Sequence, residues 1–174
     1  METVAAPSTA RVALKWGGIT GLALIIYHLI LYITQLDTVT FLSILSFAIL
    51  IIGLVWGMKE FRALNGGAMR YGQGLGLGLL MSAIIGLLLG FFDTIYKHYI
   101  DDSVMKREID NMVERLDRSS FFTPEMIDKM VEEASRTSPV QTFMGNIFAY
   151  LIFGFLLSLV IAAFVKKDRD LFEV

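Results

Sequence analysis

Four long apolar stretches constrain the fold of this chain more than any other feature. They cover about residues 16–34, 40–58, 74–96 and 143–165. Each approaches the roughly 20 residues that a helix needs to cross a bilayer, and none contains proline or a central Lys, Arg or Glu. A continuous helix satisfies every backbone polar group in lipid. The sequence therefore predicts an all-α membrane protein, with four transmembrane helices in a single domain that spans residues 1–174.

Composition agrees with a membrane protein and excludes several kinds of chemistry. Charged residues make up 18% of the chain, whereas soluble domains carry about 25%. The net charge of −2 gives no reason to expect a nucleic-acid partner. The chain has no cysteine, which excludes disulfides, thiolate metal ligands and cysteine nucleophiles. No small-residue cleavage site follows the first stretch before Thr34, so we expect an uncleaved span rather than a signal peptide.

The distribution of Lys and Arg predicts the orientation of the spans. Basic residues lie in the N-terminal lead, the second loop and the C-terminal tail: Arg11, Lys15, Lys59, Arg62, Arg70, Lys166, Lys167 and Arg169. The first loop has none, and residues 97–140 carry seven basic residues with ten acidic ones. We therefore expect both termini in the cytoplasm and residues 97–140 on the outer side of the membrane.

The polar segment of residues 101–138 carries the pattern of two amphipathic helices. Asp102 or Ser103 is placed to cap the first helix, and Thr123 before Pro124 marks the start of the second. We expect an amphipathic helical hairpin between the third and fourth spans. Its exposed apolar side chains would contact a partner helix or the lipid interface: Met105, Met112, Phe121, Phe122, Met126 and Met130. A Cu(I) site at these thioethers is disfavoured, because no histidine cluster accompanies them.

The third span is rich in glycine, but its glycines match neither a dinucleotide-binding motif nor a P-loop. Small residues instead recur at every fourth position: Gly74, Gly78, Ser82, Gly86 and Gly90. We call this series the small-residue stripe. On a helix it forms one continuous face that lets a neighbouring backbone approach closely. The stripe predicts a packing contact, either within the bundle or between subunits.

Polar residues near the outer ends of the spans form a candidate pocket. They are His28, Tyr32, Asp93, Asn146 and Tyr150. In the predicted topology they fall at similar depth, and ionisable groups within spans are costly enough to suggest function. The alternative is that Asp93 anchors the end of a span at the headgroups, while His28 and Asn146 form hydrogen bonds between helices.

Catalytic signatures are missing from the sequence. Neither H-E-x-x-H nor G-x-S-x-G occurs. The two histidines, His28 and His98, fall at different depths, and no nucleophile, base and orienting group are spaced as a catalytic set. We expect no enzyme activity, no catalytic residue, no cofactor and no metal site.

The segment from residue 58 to residue 101 resembles a bacterial inner-membrane family, domain of unknown function 4199. The resemblance rests on Lys59-Glu60-Phe61-Arg62, on Asn65-Gly66-Gly67, and on a small-residue span that ends at Tyr96 and is followed by Tyr99-Ile100-Asp101. A proline commonly follows the Tyr-Ile pair in relatives, where this chain has Asp101-Asp102. The resemblance covers most of the chain and implies the inner membrane of gram-negative bacteria, with residues 97–140 in the periplasm. It implies no catalytic residues.

These observations favour a non-enzymatic membrane protein. Our leading hypothesis is an accessory or scaffold protein in the lipid bilayer, which packs with itself or with a membrane protein partner through the small-residue stripe and the external hairpin. One alternative is a small transporter or ligand-binding membrane protein that uses the polar pocket. Another is an auxiliary subunit of a membrane-bound envelope-building enzyme.

Overall fold

The chain folds into four long helices and two shorter ones, and the computed structural model describes residues 8–119 and 121–167. The helices are α1 (Thr9–Thr34), α2 (Thr40–Leu64), α3 (Tyr71–Ile95), α4 (Ser103–Asp117), α5 (Pro124–Ser135) and α6 (Pro139–Val165), and a π-helical turn at Tyr96–Ile100 extends α3. Helices α1, α2, α3 with its π turn, and α6 are long and apolar enough to cross a membrane. No strand occurs in the described ranges. The predictions of an all-α protein and of four candidate spans are confirmed there, and Arg169 lies outside them.

The ends of the long helices follow from local backbone chemistry. Helix α1 ends where Gln35 adopts a left-handed φ of 57°, which lets the Leu36 N–H bond back to the Leu31 carbonyl at 3.0 Å. Helix α2 ends before Gly66 and Gly67, whose φ angles are 69° and 81°. Glycine adopts these angles without steric cost. All four helices extend beyond the predicted apolar spans at one end or both, because the spans were read from hydrophobicity while the caps lie in polar sequence.

The start of α6 is a capping box. The Ser138 hydroxyl accepts a hydrogen bond from the Gln141 N–H, and the Gln141 side chain accepts one from the Ser138 N–H at 2.8 Å. Pro139 occupies the first helical position, where its missing N–H has no cost. Together these contacts satisfy two N–H groups that a helix start otherwise leaves unpaired.

Helices α3 and α6 are antiparallel and meet along the small-residue stripe. Each stripe residue faces α6, and the facing residues run in the opposite direction: Gly74 faces Ala162, Gly78 faces Ser158, Ser82 faces Gly154, Gly86 faces Ile147 and Tyr150, and Gly90 faces Phe143 and Asn146. All five stripe residues are buried. Where lipid surrounds the helices, such close van der Waals packing is the main source of helix association.

Two serine–glycine pairs interlock at the centre of this contact. A Cβ atom placed on Gly78 would overlap the Ser158 hydroxyl, and one placed on Gly154 would overlap the Ser82 hydroxyl. The Ser82 hydroxyl donates a hydrogen bond to the Gly78 carbonyl at 2.8 Å, which offsets the cost of burying it. Helix α6 thus covers the stripe, which is an internal contact and offers no surface to a partner.

A second face of α3 packs against α1 and α2. Leu77, Met81, Ile85 and Leu89 lie on this face and are fully buried. Glycines of α1 and α2 also come close to it: Gly17 and Gly21 of α1 lie against Met81, Ile84, Ile85 and Leu88, and Gly57 of α2 lies against Met81. Helix α3 is therefore the centre of the bundle.

The two ends of the bundle differ. At one end Lys15 contacts Glu60 at 2.7 Å, and the backbone of Met69 pairs with that of Lys167. At the other end lie the α1–α2 turn, the π turn and α4. We call this second end the α4 end of the bundle.

Replacing Gly78 by alanine tests the interlocked contact. The new methyl group would meet the Ser158 hydroxyl, so we expect the protein to lose about 1–3 kcal/mol of stability, the usual cost of overpacking. The matched control is Gly76→Ala on the same helix, where a Cβ atom meets nothing within 4 Å. The measurement is thermal unfolding in detergent. Adding Ser158→Gly to the Gly78→Ala variant should restore its melting temperature. Equal melting temperatures of Gly78→Ala and Gly76→Ala would contradict the contact.

Candidate functional site

Helix α4 is anchored to the α1–α2 turn by a shielded ion pair. Arg107 donates to Oδ1 of Asp37 from Nε at 3.1 Å and from Nη2 at 3.0 Å, and the Asp37 side chain is only 3% exposed. Arg107 also donates to the Ser103 hydroxyl at 2.7 Å. Further along α4, Asn111 donates to the Thr38 carbonyl at 3.2 Å. These contacts fix α4 over the end of α1 and the start of α2.

The start of α4 differs in detail from the sequence prediction. Neither Asp102 nor Ser103 caps the helix with its side chain. Asp102 occupies the N-cap position without a side-chain hydrogen bond. The preceding residue, Asp101, supplies the acceptor instead, since its Oδ1 accepts from the Ser103 N–H at 3.0 Å and from the Ser103 hydroxyl at 2.6 Å. These hydrogen bonds lower the pKa of the Asp101 carboxyl below its ordinary value. At α5 the Thr123 hydroxyl accepts from the Met126 N–H, as predicted.

A second ion pair joins α4 to the end of α3. Lys97 lies in the π turn and contacts Oε1 of Glu108 at 2.7 Å, and its ammonium is 5.7 Å from the centre of the Tyr32 ring. In the same turn, Nε2 of His98 is 2.8 Å from the Thr142 hydroxyl of α6. π-Helical turns are common at functional sites, and here the turn directs consecutive side chains toward α4 and α6.

A buried carboxylate lies just below this layer. Asp93 of α3 is 3% exposed and accepts a hydrogen bond from the Tyr32 hydroxyl at 3.0 Å. Nδ1 of His28 is 3.7 Å from the same carboxylate oxygen and has no hydrogen-bond partner among the described residues. The other ring nitrogen of His28 is 3.5 Å from the Ser46 hydroxyl. One helical turn of α1 thus supplies both groups that approach Asp93.

A cavity of about 280 Å³ opens beside this cluster, between α1, α2, α4 and α6. Its walls combine polar, aromatic and aliphatic side chains: His28, Leu31, Tyr32, Asp37, Ser43, Ser46, Phe47, Leu50, Glu108, Ala149, Tyr150 and Phe153. The rings of Phe47 and Phe153, which are part of this wall, meet edge to face with their centres 5.4 Å apart. The volume is near the lower end of the range of small-molecule sites, roughly 300 Å³.

The structure brings together four of the five residues that the sequence grouped as a polar pocket. His28, Tyr32 and Tyr150 line the cavity, and Asp93 lies directly behind the first two. Asn146 lies elsewhere, because it is on the side of α6 that faces Gly90, and its amide donates to the Thr142 carbonyl of its own helix at 3.0 Å.

Sequence reasoning missed the charged residues above the cavity. Asp37 is the only charged residue of the first loop, and an acid in so short a turn between two spans is a usable signal. Glu108 and Arg107 lie on the polar face of α4, where they look like any solvated charge. Lys97 follows the third span directly, and its pairing could not be read from spacing.

The apolar residues predicted to form an external contact face have different environments. Met105 and Met112 of α4 and Phe122 are half-buried. Phe121, Met126 and Met130 are exposed, at 86%, 44% and 36%. Helix α5 packs on α4, and Ile127 is the buried residue of α5. The exposed part of the face is therefore limited to one flank of α5 and the turn before it.

The site is suited to binding a small molecule. Two acidic residues, two tyrosines and a histidine line the cavity together with aliphatic and phenylalanine side chains, the usual combination in ligand sites. Within residues 8–119 and 121–167, no group of three or more His, Cys, Asp or Glu side chains is arranged to hold a metal ion.

Removing Arg107 tests how α4 is held over the cavity. Arg107→Ala leaves the shielded Asp37 carboxylate without its cation, which costs about 3 kcal/mol in comparable pairs. We therefore expect amide hydrogens of α4 to exchange roughly 100-fold faster in deuterated buffer. The control is Arg118→Ala, since Arg118 pairs with Glu114 on the surface, where such pairs contribute about 0–1 kcal/mol. Equal exchange in the two variants would show that α4 does not depend on the ion pair.

Comparison with known proteins assigns the chain to a family. A family model described as "Protein of unknown function (DUF4199)" matches residues 15–167. No curated protein and no solved structure gives a significant match. The matched segment includes every residue that lines the cavity. The resemblance seen in the sequence is thus confirmed, and the chain belongs to the DUF4199 family of proteins of unknown function.

Proposed function

We propose that this protein is a membrane protein that binds a small molecule in the cavity at the α4 end, and that binding rather than catalytic turnover is its role. The observation that carries the proposal is the cavity itself, in which aromatic and acidic side chains from four helices surround about 280 Å³ of space. Ligand pockets typically combine an apolar wall with a few polar groups that orient the ligand.

Binding is favoured over transport because the bundle is filled below the cavity. Leu24, Leu50 and Leu54 are at most 1% exposed, and they belong to a continuous apolar core with Met58 and Met81. A transport path needs polar groups or water at the midplane. A ligand in the cavity would therefore reach a closed floor.

An accessory or scaffold role is the second candidate, and it has lost one of its two expected contact surfaces. Helix α6 covers the small-residue stripe. The exposed flank of α5 remains, where Phe121 and Met126 offer apolar surface to a membrane protein partner or to lipid headgroups. A shift of α4 on ligand binding would also move α5, which packs on it.

We further propose that the protein resides in a bacterial inner membrane with the α4 end in the periplasm. Support comes from the basic side chains at the opposite end, among them Lys59, Arg62 and Arg70, because Lys and Arg near span ends favour the cytoplasm. In this orientation the cavity would face the periplasm and take its ligand from there.

Cysteine labelling tests the orientation, since the natural chain contains no cysteine. Asp128→Cys introduces a thiol on α5, and Lys59→Cys introduces one on α2 at the opposite end of the bundle. Both sites are exposed. With a membrane-impermeant maleimide added to spheroplasts, we expect Asp128→Cys to react and Lys59→Cys to react only after the membrane is permeabilised. The reverse pattern would invert the proposed topology.

Filling the cavity tests the binding role. Ala149→Trp places a large ring in the cavity wall, and Ile152→Trp adds the same ring at a lipid-facing position of the same helix that is 58% exposed. We expect a small molecule to be released on denaturation of the wild-type protein and of Ile152→Trp purified from native membranes, but not of Ala149→Trp. Mass spectrometry of the released fraction is the measurement. If no molecule is enriched in the wild-type fraction relative to the Ala149→Trp fraction, the proposed function is contradicted.

A further inference from the structure

We infer that the ligand of the cavity is a monovalent organic cation, an ammonium group attached to an apolar or aromatic body. This inference rests on the proposed function and adds the chemical class of the ligand. It follows from the acidic side chains in the cavity wall, from a third acidic side chain behind it, and from the aromatic rings around it.

The cavity wall carries negative charge without positive charge of its own. Asp37 and Glu108 line it, and no Lys or Arg of the described residues does. The partners of these two carboxylates, Arg107 and Lys97, approach them from outside the lining. A bound cation would meet carboxylates directly, whereas a bound anion would meet the same carboxylates with their cations on the far side.

A third acidic side chain lies directly behind the cavity wall. Asp37 pairs with Arg107 and Glu108 pairs with Lys97, whereas Asp93, among the described residues, accepts a hydrogen bond only from the Tyr32 hydroxyl. Three acidic side chains around one cavity favour a ligand that carries a positive charge over an anion.

The remaining lining suits an organic cation better than a metal ion. The rings of Tyr32 and Tyr150 border the polar part of the cavity, and the rings of Phe47 and Phe153 border its apolar part. Aromatic faces attract ammonium groups through their quadrupoles, and apolar rings beside Leu50 would hold the body of the ligand. The ammonium group would therefore lie at the α4 end, with its body directed toward the core.

The ammonium group can come from two sources that share this chemistry. One is a soluble amine in the periplasm. The other is the headgroup of an aminophospholipid in the adjacent leaflet, whose acyl chains would remain in the bilayer. The same recognition would serve both, and competition with lipid separates them.

The experiment compares three benzyl compounds that differ in charge. Benzyltrimethylammonium, benzyl alcohol and benzylsulfonate are titrated calorimetrically into the full chain in an uncharged maltoside detergent. We expect the cation to bind at least roughly tenfold more tightly than the other two. Equal or tighter binding of benzyl alcohol or benzylsulfonate would overturn the inference.

Two variants locate the binding without relying on one substitution. Glu108→Gln should weaken binding of benzyltrimethylammonium roughly tenfold, while Glu114→Gln, at an exposed acid of the same helix, should leave it unchanged. Because Glu108→Gln also breaks an ion pair that holds α4, Ser46→Lys serves as the second variant. It adds a positive charge to the wall without removing either partner of an ion pair, and it should weaken binding of the cation at least roughly tenfold more than Ser46→Gln, which adds a side chain of similar length without the charge. Unchanged affinity in Ser46→Lys would overturn the assignment to this cavity.

Lipid nanodiscs identify the source of the ammonium group. The affinity for benzyltrimethylammonium is compared between discs that contain phosphatidylethanolamine and discs of phosphatidylglycerol alone. A lower affinity in the first would show competition and assign the site to a lipid headgroup, and equal affinity would assign it to a soluble amine. The inference and the proposed function fail separately. A neutral or anionic molecule released from wild type but not from Ala149→Trp would support binding and overturn the cation, whereas a cation that binds Ala149→Trp as tightly as wild type would overturn both.

Discussion

The close approach of α3 and α6 determines the arrangement of the other helices. The Gly78–Ser158 and Ser82–Gly154 pairs leave no room for even one more methyl group at either glycine, so the register between the two helices is fixed within narrow limits. With α6 held there, its other side faces α2 through Phe153, which meets Phe47. These two rings hold α2 and α6 apart. Above them Ser43, Ser46 and Ala149 are too small to fill the gap, and the cavity is the result.

The α4 end is held by charge and hydrogen bonds more than by apolar packing. In α4 only Val104 is fully buried, while Arg107 and Glu108 form ion pairs with residues outside the helix. Pairs within one helix, such as Glu125 with Lys129, are exposed and contribute little. The two ion pairs that join α4 to other segments therefore hold it in place together with Asn111, and they also bring two carboxylates to the cavity. A helix held in this way opens at a lower cost than the core, which would suit the proposed ligand site.

The sequence predicts the parts of this structure that depend on local pattern. Four spans follow from apolar length, and the small-residue stripe follows from a four-residue period. The surface of α6 that meets the stripe has the same four-residue period, in Gly154, Ser158 and Ala162. It is harder to recognise in the sequence because bulky residues stand between these positions. Asn146 could have been separated from the cavity by helix phase, since it lies two turns before Gly154 on the side that faces α3. Tyr150 shares that phase and still reaches the cavity, because its side chain is long.

The pairing of Asp37 with Arg107 could not have been predicted in this way. It joins residues 70 positions apart in sequence, and it depends on how α4 is rotated over the α1–α2 turn. No periodicity within either segment encodes that rotation, which results from the lengths of the connections and from the π turn after α3. The same reason hides the Lys97–Glu108 pair. Charges at the ends of spans are common, and only the fold shows which of them face one another.

Asp93 connects the packing of the bundle with the chemistry of the cavity. It follows Gly90 by three residues, so its backbone position is set by the α3–α6 contact, while its side chain turns toward His28 and Tyr32 of α1. A side chain on the most tightly packed helix has little freedom to turn toward water. The carboxyl group of Asp93 is therefore already in place behind the cavity wall, and the proposed cation would approach it without any rearrangement of the protein. Such preorganisation lowers the cost of binding, and here it is a direct consequence of the glycines that bring the two helices together.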